Sequence, residues 1–306
     1  MTLASVQFLS QLPTHSVSDF YTNRRVKMLE VTSEIYKEYD YITKAKPSDD
    51  KNVISEFPFI LPKFEKNDAV DRDNDLDVLR PTKEFIKIEH REDTNIALVG
   101  LQVWRGAFLL GDLLIHLGLK GELQDKVVLE VGAGTGITSF VAAMYAKKVI
   151  CTDIDIGGIL SLIDLNLKYN SKFIQSEFKI MPLDFKDTNW NEELQKVVEE
   201  TDIILAADVI YDEEVTSSFM ETLQKLLLTN AKKTIYIAIE KRIVFTAEHS
   251  VSAYYYEEFI KLLDRIKNGQ KTVRWEIKNV PLDFPRYFRY NRVKELVLLQ
   301  ITSSKT

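Results

Sequence analysis

The sequence predicts an α/β protein with a doubly wound, seven-stranded sheet, an antiparallel last strand and an N-terminal extension. Three observations predict this fold. Apolar runs typical of strands alternate with helical runs from about residue 98 onward. Residues 127–131 are four-fifths apolar, typical of a strand buried on both faces, and glycines follow at 132, 134 and 136. The first five of the seven predicted strands each end beside a carboxylate. Such alternation favours parallel strands that are joined by helices on both faces.

The first 95 residues are the least regular part of the chain, and we predict that they extend a domain of residues 96–306. Apolar residues at mixed spacings predict a helix over 24–41, prolines predict an extended segment over 57–62, and alternation predicts an edge strand over 84–90. Aspartates alternate from 71 to 77, but Leu76 and Thr82 stand where a calcium loop has glycine and glutamate. We therefore predict a solvated acidic loop there.

The remaining elements follow in a regular order. The predicted strands cover residues 127–131, 148–152, 178–184, 201–207, 234–239, 272–280 and 293–302. The predicted helices cover residues 103–119, a run that begins at 137, and residues 156–169, 213–228 and 252–267. The linker 281–292 is too short for a crossover helix with its turns, so the last two strands are predicted to be antiparallel.

The composition narrows the class of protein. A net charge of −6 does not favour a general nucleic-acid-binding surface, although residues 265–294 hold nine basic side chains against two acidic ones. The single cysteine, Cys151, leaves no disulfide within the chain, so we expect an intracellular location. No apolar run approaches the roughly 20 residues that span a bilayer, and we expect no secretory signal. The histidines lack ligand spacing, so we expect no metal site.

The strand exits predict where chemistry occurs, because ligands of doubly wound sheets bind beyond the carboxyl ends of the strands. Carboxylates stand at every exit: Glu130, Asp153, Asp184, Asp208 and Glu240. The glycines after residue 131 allow the backbone to turn sharply and to approach a ligand closely. The third of them, Gly136, comes one position too early for a dinucleotide fingerprint, and no phosphate-loop lysine follows. The loop therefore suits a nucleotide-like ligand of another class.

The pattern Glu130-x-Gly132-x-Gly134-x-Gly136 resembles motif one of the class I S-adenosylmethionine-dependent methyltransferases. The resemblance implies a Rossmann-like fold and S-adenosyl-L-methionine as cofactor. Its methionine end is cationic and carries no pyrophosphate, which suits carboxylates near the loop. The resemblance also implies that Asp153, with Asp155 as a competitor by register, accepts the ribose hydroxyls. It gives Asp184 either the adenine amino group or a helix-capping role.

Two further elements resemble the family 16 protein methyltransferases, a mainly lysine-modifying group. They are Asp208-x-x-Tyr211 after the fourth strand and Gly100-x-x-x-Trp104 before the first long helix; Arg105 replaces the aspartate of many members. Short stretches at 75–78, 99–107, 240–242 and 284–288 are similar to one member of that group.

The family 16 resemblance implies a role for each acceptor-side residue. Asp208 would orient the amine, unless it only caps the following helix, and Tyr211 would wall the channel. Trp104 and Ala207 would line the cofactor, with core packing as the alternative for Trp104. Glu240 would face the target lysine as a second carboxylate.

The resemblance implies a monomeric protein-lysine N-methyltransferase whose protein substrate is a nuclear DNA- and RNA-binding protein of the Kin type. We expect it in the nucleus, the cytoplasm or both. Two alternatives stay open. The first is a small-molecule or nucleic-acid methyltransferase, although the chain lacks an Asn/Asp-Pro-Pro-Tyr base-flipping element. The second is a non-catalytic adaptor that binds the cofactor.

Overall fold

A computed structural model of the chain describes residues 30–62, 81–228, 232–243, 252–269 and 273–305. The strands are β1 (Val31–Thr32), β2 (Val53–Leu61), β3 (Thr82–His90), β4 (Asp93–Thr94), β5 (Val127–Val131), β6 (Lys148–Asp153), β7 (Glu177–Pro182), β8 (Ile203–Ala207), β9 (Thr234–Glu240), β10 (Val273–Asn279) and β11 (Leu296–Lys305). The helices are α1 (Arg105–Leu119), α2 (Ile137–Ala142), α3 (Ile159–Tyr169), α4 (Glu192–Glu200), α5 (Glu213–Leu227) and α6 (Tyr254–Gly269). The predicted acidic loop at 71–77 lies outside the described residues.

The central sheet has seven strands in the order β10-β11-β9-β8-β5-β6-β7. Strands β7, β6, β5, β8 and β9 are mutually parallel, so their carboxyl ends lie at one edge. Strand β11 runs antiparallel to both β9 and β10. This confirms the predicted doubly wound sheet and the antiparallel pair at its end. It also brings together the strand exits that carry the predicted carboxylates.

Both faces of the sheet are covered by helices. Within β5, Val128 packs into the core beneath α1, α2 and α3, whereas its neighbour Leu129 packs into the core beneath α4, α5 and α6. Both side chains are fully buried. This explains why β5 is a continuous apolar run rather than an alternating one. Helix α4, a short crossover between β7 and β8, was not predicted.

Helix α1 begins two residues later than predicted. Trp104 is its N-cap residue in an extended conformation, so the prediction that Trp104 lies on a helix face is wrong. Together with the preceding 3-10 helix, the segment Ile96–Leu119 is long and apolar enough for a membrane span, which no run was predicted to be. However, 78% of its most apolar window is buried inside the fold. Packing in the core accounts for its apolar character.

The N-terminal segment departs from its prediction. Residues 30–41 contain β1, paired with β4, and a 3-10 helix at Glu34–Lys37, so the helix predicted over 24–41 is wrong in its described part. Strands β2 and β3 form a separate two-stranded sheet, which confirms the edge strand predicted at 84–90. The ring of Phe57 in β2 packs in a tilted arrangement against the ring of Phe108 in α1, with the centroids 5.0 Å apart. The hydrophobic core therefore crosses the predicted domain boundary at residue 95.

Candidate active site

The glycine loop after β5 is a tight turn that leaves little room for side chains. Gly132, Gly134 and Gly136 have φ angles of +67°, +57° and +89°, which other residues rarely adopt. A Cβ atom on Gly132 would lie 2.8 Å from a methyl carbon of Val209, and one on Gly136 would lie 2.7 Å from the ring of Phe140. The loop therefore forms a bare backbone cradle at the edge of the sheet where the strand exits meet.

Asp153 lies directly beside this cradle. Its two carboxylate oxygens accept hydrogen bonds from the backbone N–H groups of Gly134 and Ile154, each at 2.7 Å. Burial raises the pKa of Asp153 to about 6, although these two hydrogen bonds oppose the shift. Its competitor by register, Asp155, is exposed. The structure thus places Asp153 rather than Asp155 against the glycine loop.

Glu130 is buried beneath the loop and is incompletely paired. One oxygen, Oε2, accepts a hydrogen bond of 2.5 Å from the Ser139 hydroxyl. The other, Oε1, has no partner among the described residues. Burial raises the pKa of Glu130 to about 7. A buried carboxylate with a free oxygen beside a backbone cradle fits a ligand that carries a positive charge and hydrogen-bond donors.

The exit of β7 matches its prediction only in part. Asp184 is partly exposed, and its Oδ1 accepts the N–H of Lys186 at 2.9 Å in a local turn. No helix starts there, because α4 begins at Glu192, so the helix-capping alternative is wrong. The next residue, Phe185, was not predicted, yet its ring lies 3.3 Å from the position of a Cβ on Gly132. An aromatic residue directly after an acidic strand exit is the signal that could have indicated it.

Asp208 connects three elements through its backbone and side chain. Oδ2 accepts the N–H of Gly106 in the first turn of α1 at 2.7 Å, and Oδ1 accepts the N–H of Glu240 at 2.8 Å. Its backbone has a φ of +52°, and the residue is 7% exposed. The following helix, α5, is capped instead by Asp212. The alternative that Asp208 caps the following helix is therefore wrong, since it binds the N-terminus of α1.

Trp104, which was predicted to line the cofactor, and Tyr211, which was predicted to wall the acceptor channel, both lie near Arg242. The guanidinium carbon of Arg242 lies 4.1 Å from the centre of the Trp104 ring, in a cation–π contact. Burial raises the pKa of Tyr211 to about 12; the charges of Asp153 and Asp212 act in the same direction, and Arg242 opposes them. Tyr211 therefore stays a neutral phenol at physiological pH. Arg242 was not predicted as a site residue.

Glu240 ends β9 next to Asp208, and its Oε1 accepts a hydrogen bond from the Arg105 guanidinium. Burial and the charge of Asp208 raise the pKa of Glu240 to about 7, while Arg105 and Arg242 lower it. Ala207, the last residue of β8, is partly buried beside these groups. The predicted residues of the acceptor side thus lie together, but Glu240 is already paired with an arginine.

The sequence profile of the lysine methyltransferase family matches residues 82–265, which is more than half of the chain. The chain belongs to this family. Membership confirms the prediction of a family 16 protein methyltransferase and of S-adenosyl-L-methionine as its cofactor.

Three relatives illustrate the similarity. Methyltransferase-like protein 22 of Mus musculus is 35% identical over 235 residues, which cover 71% of this chain and 59% of that protein. Its Homo sapiens counterpart is 33% identical over 238 residues, with 71% and 57% covered. Protein-lysine N-methyltransferase EFM3 of Saccharomyces cerevisiae is 30% identical over 161 residues, with 47% and 46% covered. The member that the short stretches resembled is methyltransferase-like protein 22, so that prediction is confirmed. The match spans less than two thirds of each relative's length.

Part of the basic segment at 265–294 has internal partners within the fold. The guanidinium of Arg292 pairs with the fully buried Asp112 at 2.6 Å, and Arg289 lies over the ring of Tyr39 at 4.2 Å. These charges hold the chain between β10 and β11 against α1 and the N-terminal segment. In the described ranges, no group of three or more His, Cys, Asp or Glu side chains could hold a metal ion.

Proposed function

We propose that this chain is an S-adenosyl-L-methionine-dependent protein-lysine N-methyltransferase. One observation carries the proposal: the acceptor-side segment Asp208-x-x-Tyr211 lies directly against the glycine loop. Val209 of that segment is in contact with Gly132, and Asp208 is hydrogen-bonded to the end of β9. A cofactor in the glycine cradle would therefore be a neighbour of a substrate lysine side chain that binds beside Tyr211 and Glu240. Family membership supports the same reaction.

The cofactor would be held by groups from four strand exits and the start of α1. These are Trp104, Glu130, Gly132, Gly134, Gly136, Asp153, Asp184 and Ala207. When bound, S-adenosyl-L-methionine supplies an activated methyl group on a sulfonium. The free oxygen of Glu130 offers an acceptor to a cationic group, and Asp153 offers lone pairs to hydroxyl groups. The tight glycine loop allows close approach without side chains in the way.

The acceptor side must provide a lysine amine without its extra proton. A free lysine has a pKa of about 10.4, so most molecules are protonated at neutral pH and cannot attack. Glu240, whose pKa is about 7, is the carboxylate best matched to take that proton near neutral pH. Burial keeps Tyr211 a neutral phenol at this pH. Its oxygen could accept a hydrogen bond from the amine and orient the nitrogen.

We extend the proposal to the substrate. The resemblance to methyltransferase-like protein 22 supports a lysine in a nuclear DNA- and RNA-binding protein of the Kin type, modified by a monomeric enzyme in the nucleus, the cytoplasm or both. The net charge of −6 suits a basic protein partner, which this chain would attract over a distance.

Incubation of the protein with methyl-labelled S-adenosyl-L-methionine and a cell extract, with and without ribonuclease, tests the function. We expect a ribonuclease-resistant labelled protein band that yields methyl-lysine on hydrolysis and fades with Tyr211→Phe and Glu240→Gln. Label only in nucleic acid or small solutes would refute the proposal. Cofactor binding without transfer to any fraction would instead support the adaptor.

A further inference from the structure

Arg105 is a buried cation that joins three parts of the chain. Arg105 is only 8% exposed. One nitrogen, Nε, donates to Glu38 at 2.6 Å, and Nη1 donates to Glu34 at 2.9 Å and to Glu240. Glu34 is the first residue of the 3-10 helix in the N-terminal segment and Glu38 is its C-cap residue, whereas Glu240 ends β9. The family profile begins at residue 82, so the two N-terminal carboxylates lie outside the matched region.

The N-terminal segment is held in place from a second side as well. Oε2 of Glu38 accepts the backbone N–H of Asn291 at 2.8 Å, and the hydroxyl of Tyr39 donates to the Asn291 side chain at 3.2 Å. The Glu38 side chain is only 4% exposed, so both of its oxygens are used within the fold. Arg105 is therefore the central member of a network that runs from residue 34 to residue 291.

The groups around Glu240 explain why this carboxylate needs a cation. Its side chain is 13% exposed, and anions face it from two elements, with Asp208 following β8 and Glu34 in the N-terminal segment. Two positive charges also face Glu240. Arg105 lies on α1, and Arg242 lies two residues after Glu240 itself. The register partner of Glu240 on β11 is the apolar Leu296. Removing one cation from such a site favours the protonated acid.

We propose that Arg105 is a positioning residue of the acceptor side, which keeps Glu240 as an oriented anion and fixes the N-terminal segment as a wall of the site. The inference rests on the proposed function only in assigning the acceptor role to Glu240. A neutral side chain at this position would leave Glu34, Glu38 and Glu240 without their shared cation. The arginine and its N-terminal partners therefore form one unit in this chain.

Arg105→Gln and Arg105→Lys test the proposal in the full chain, with Arg265→Gln on the exposed face of α6 as a matched charge control. The pH profile of methyl transfer to a protein substrate is measured for each, together with the affinity for S-adenosyl-L-methionine. We expect Arg105→Gln to move the acid limb of the profile upward by about one pH unit or more, because an adjacent opposite charge is lost. Arg105→Lys should restore most of this shift. Cofactor affinity should change less than about twofold.

A carboxyl NMR titration, with the Glu240 signal assigned by its loss in Glu240→Gln, tests the same coupling without any turnover. The Glu240 midpoint should move upward in Arg105→Gln and stay unchanged in Arg265→Gln. An unchanged Glu240 midpoint, or a pH profile that is only scaled down with no rescue by lysine, would overturn the proposal. If the wild-type protein transfers no methyl group to protein, the function fails, whereas the titration still decides the role of Arg105.

Discussion

Replacement of Asp208 by alanine should destabilise the protein more than loss of an ordinary helix cap. Two buried backbone N–H groups, those of Gly106 and Glu240, would lose their acceptor. Leaving a buried donor unpaired costs about 1–3 kcal/mol each, so we expect the free energy of unfolding to fall by about 2–6 kcal/mol. That is a large part of the total free energy of unfolding of a typical domain, which is about 5–15 kcal/mol. The left-handed backbone at residue 208 would also lose the hydrogen bonds that hold it.

Asp212→Ala is the matched control for this substitution. Asp212 also accepts two backbone N–H groups, those of Glu214 and Val215, but it does so at the solvent-accessible start of α5. Water can replace it there, so its loss should cost about 0.5–2 kcal/mol. Asp208→Asn should lie between the two, because one amide oxygen can still accept one N–H while its NH₂ faces the other donor.

Urea unfolding followed by circular dichroism measures these differences, provided that the slope with denaturant stays constant. A free energy of unfolding for Asp208→Ala equal to that of Asp212→Ala would refute the structural role. In that case the two hydrogen bonds would not connect α1 to the ends of β8 and β9, and any lost activity would be chemical. If the role holds, activity lost in Asp208→Ala cannot by itself assign catalysis to this residue.

Two further predictions concern the cofactor side. Gly134→Ala should weaken S-adenosyl-L-methionine binding, measured by calorimetry, by more than about tenfold, because its Cβ would lie 3.1 Å from the carbonyl oxygen of Gly100, which packs against the cradle. Gly121→Ala, at a similar positive φ with nothing near its Cβ, should lose only about 1–2 kcal/mol of stability and bind normally; equal binding losses in both would contradict this. Glu130→Gln should be more stable than wild type at pH 8 but not at pH 4, by thermal unfolding. Burial raises the pKa of Glu130 to about 7, so the folded protein favours the protonated side chain. The free energy of unfolding of the wild type therefore falls as the pH rises from about 4.5 to about 7. The difference should reach about 2–4 kcal/mol, and parallel pH dependences would refute it.

The sheet was predictable because burial on both faces leaves a strong local signal. Strands such as β5 are continuously apolar, and each ends at a polar exit. Helix α4 was missed although its sequence carries a signal: Leu194, Val197 and Val198 stand at helical spacing, and Asn191 is its N-cap residue. The helix predicted at 24–41 does not form in its described part because tertiary hydrogen bonds compete with it. There the Tyr36 hydroxyl accepts the N–H of Val103 and donates to the carbonyl of Arg91, and such distant partners override local propensity.

The sequence by itself determined the class of fold, the glycine cradle and the strand exits that surround it, because these depend on local patterns of a few residues. Only the tertiary structure decided what the exit carboxylates bind. Asp208 binds the start of α1 rather than the following helix, and Glu240 binds Arg105. The Arg105 network joins positions 34, 38, 105 and 240. No spacing along the chain indicates such contacts, since they arise only when separate elements pack against one another.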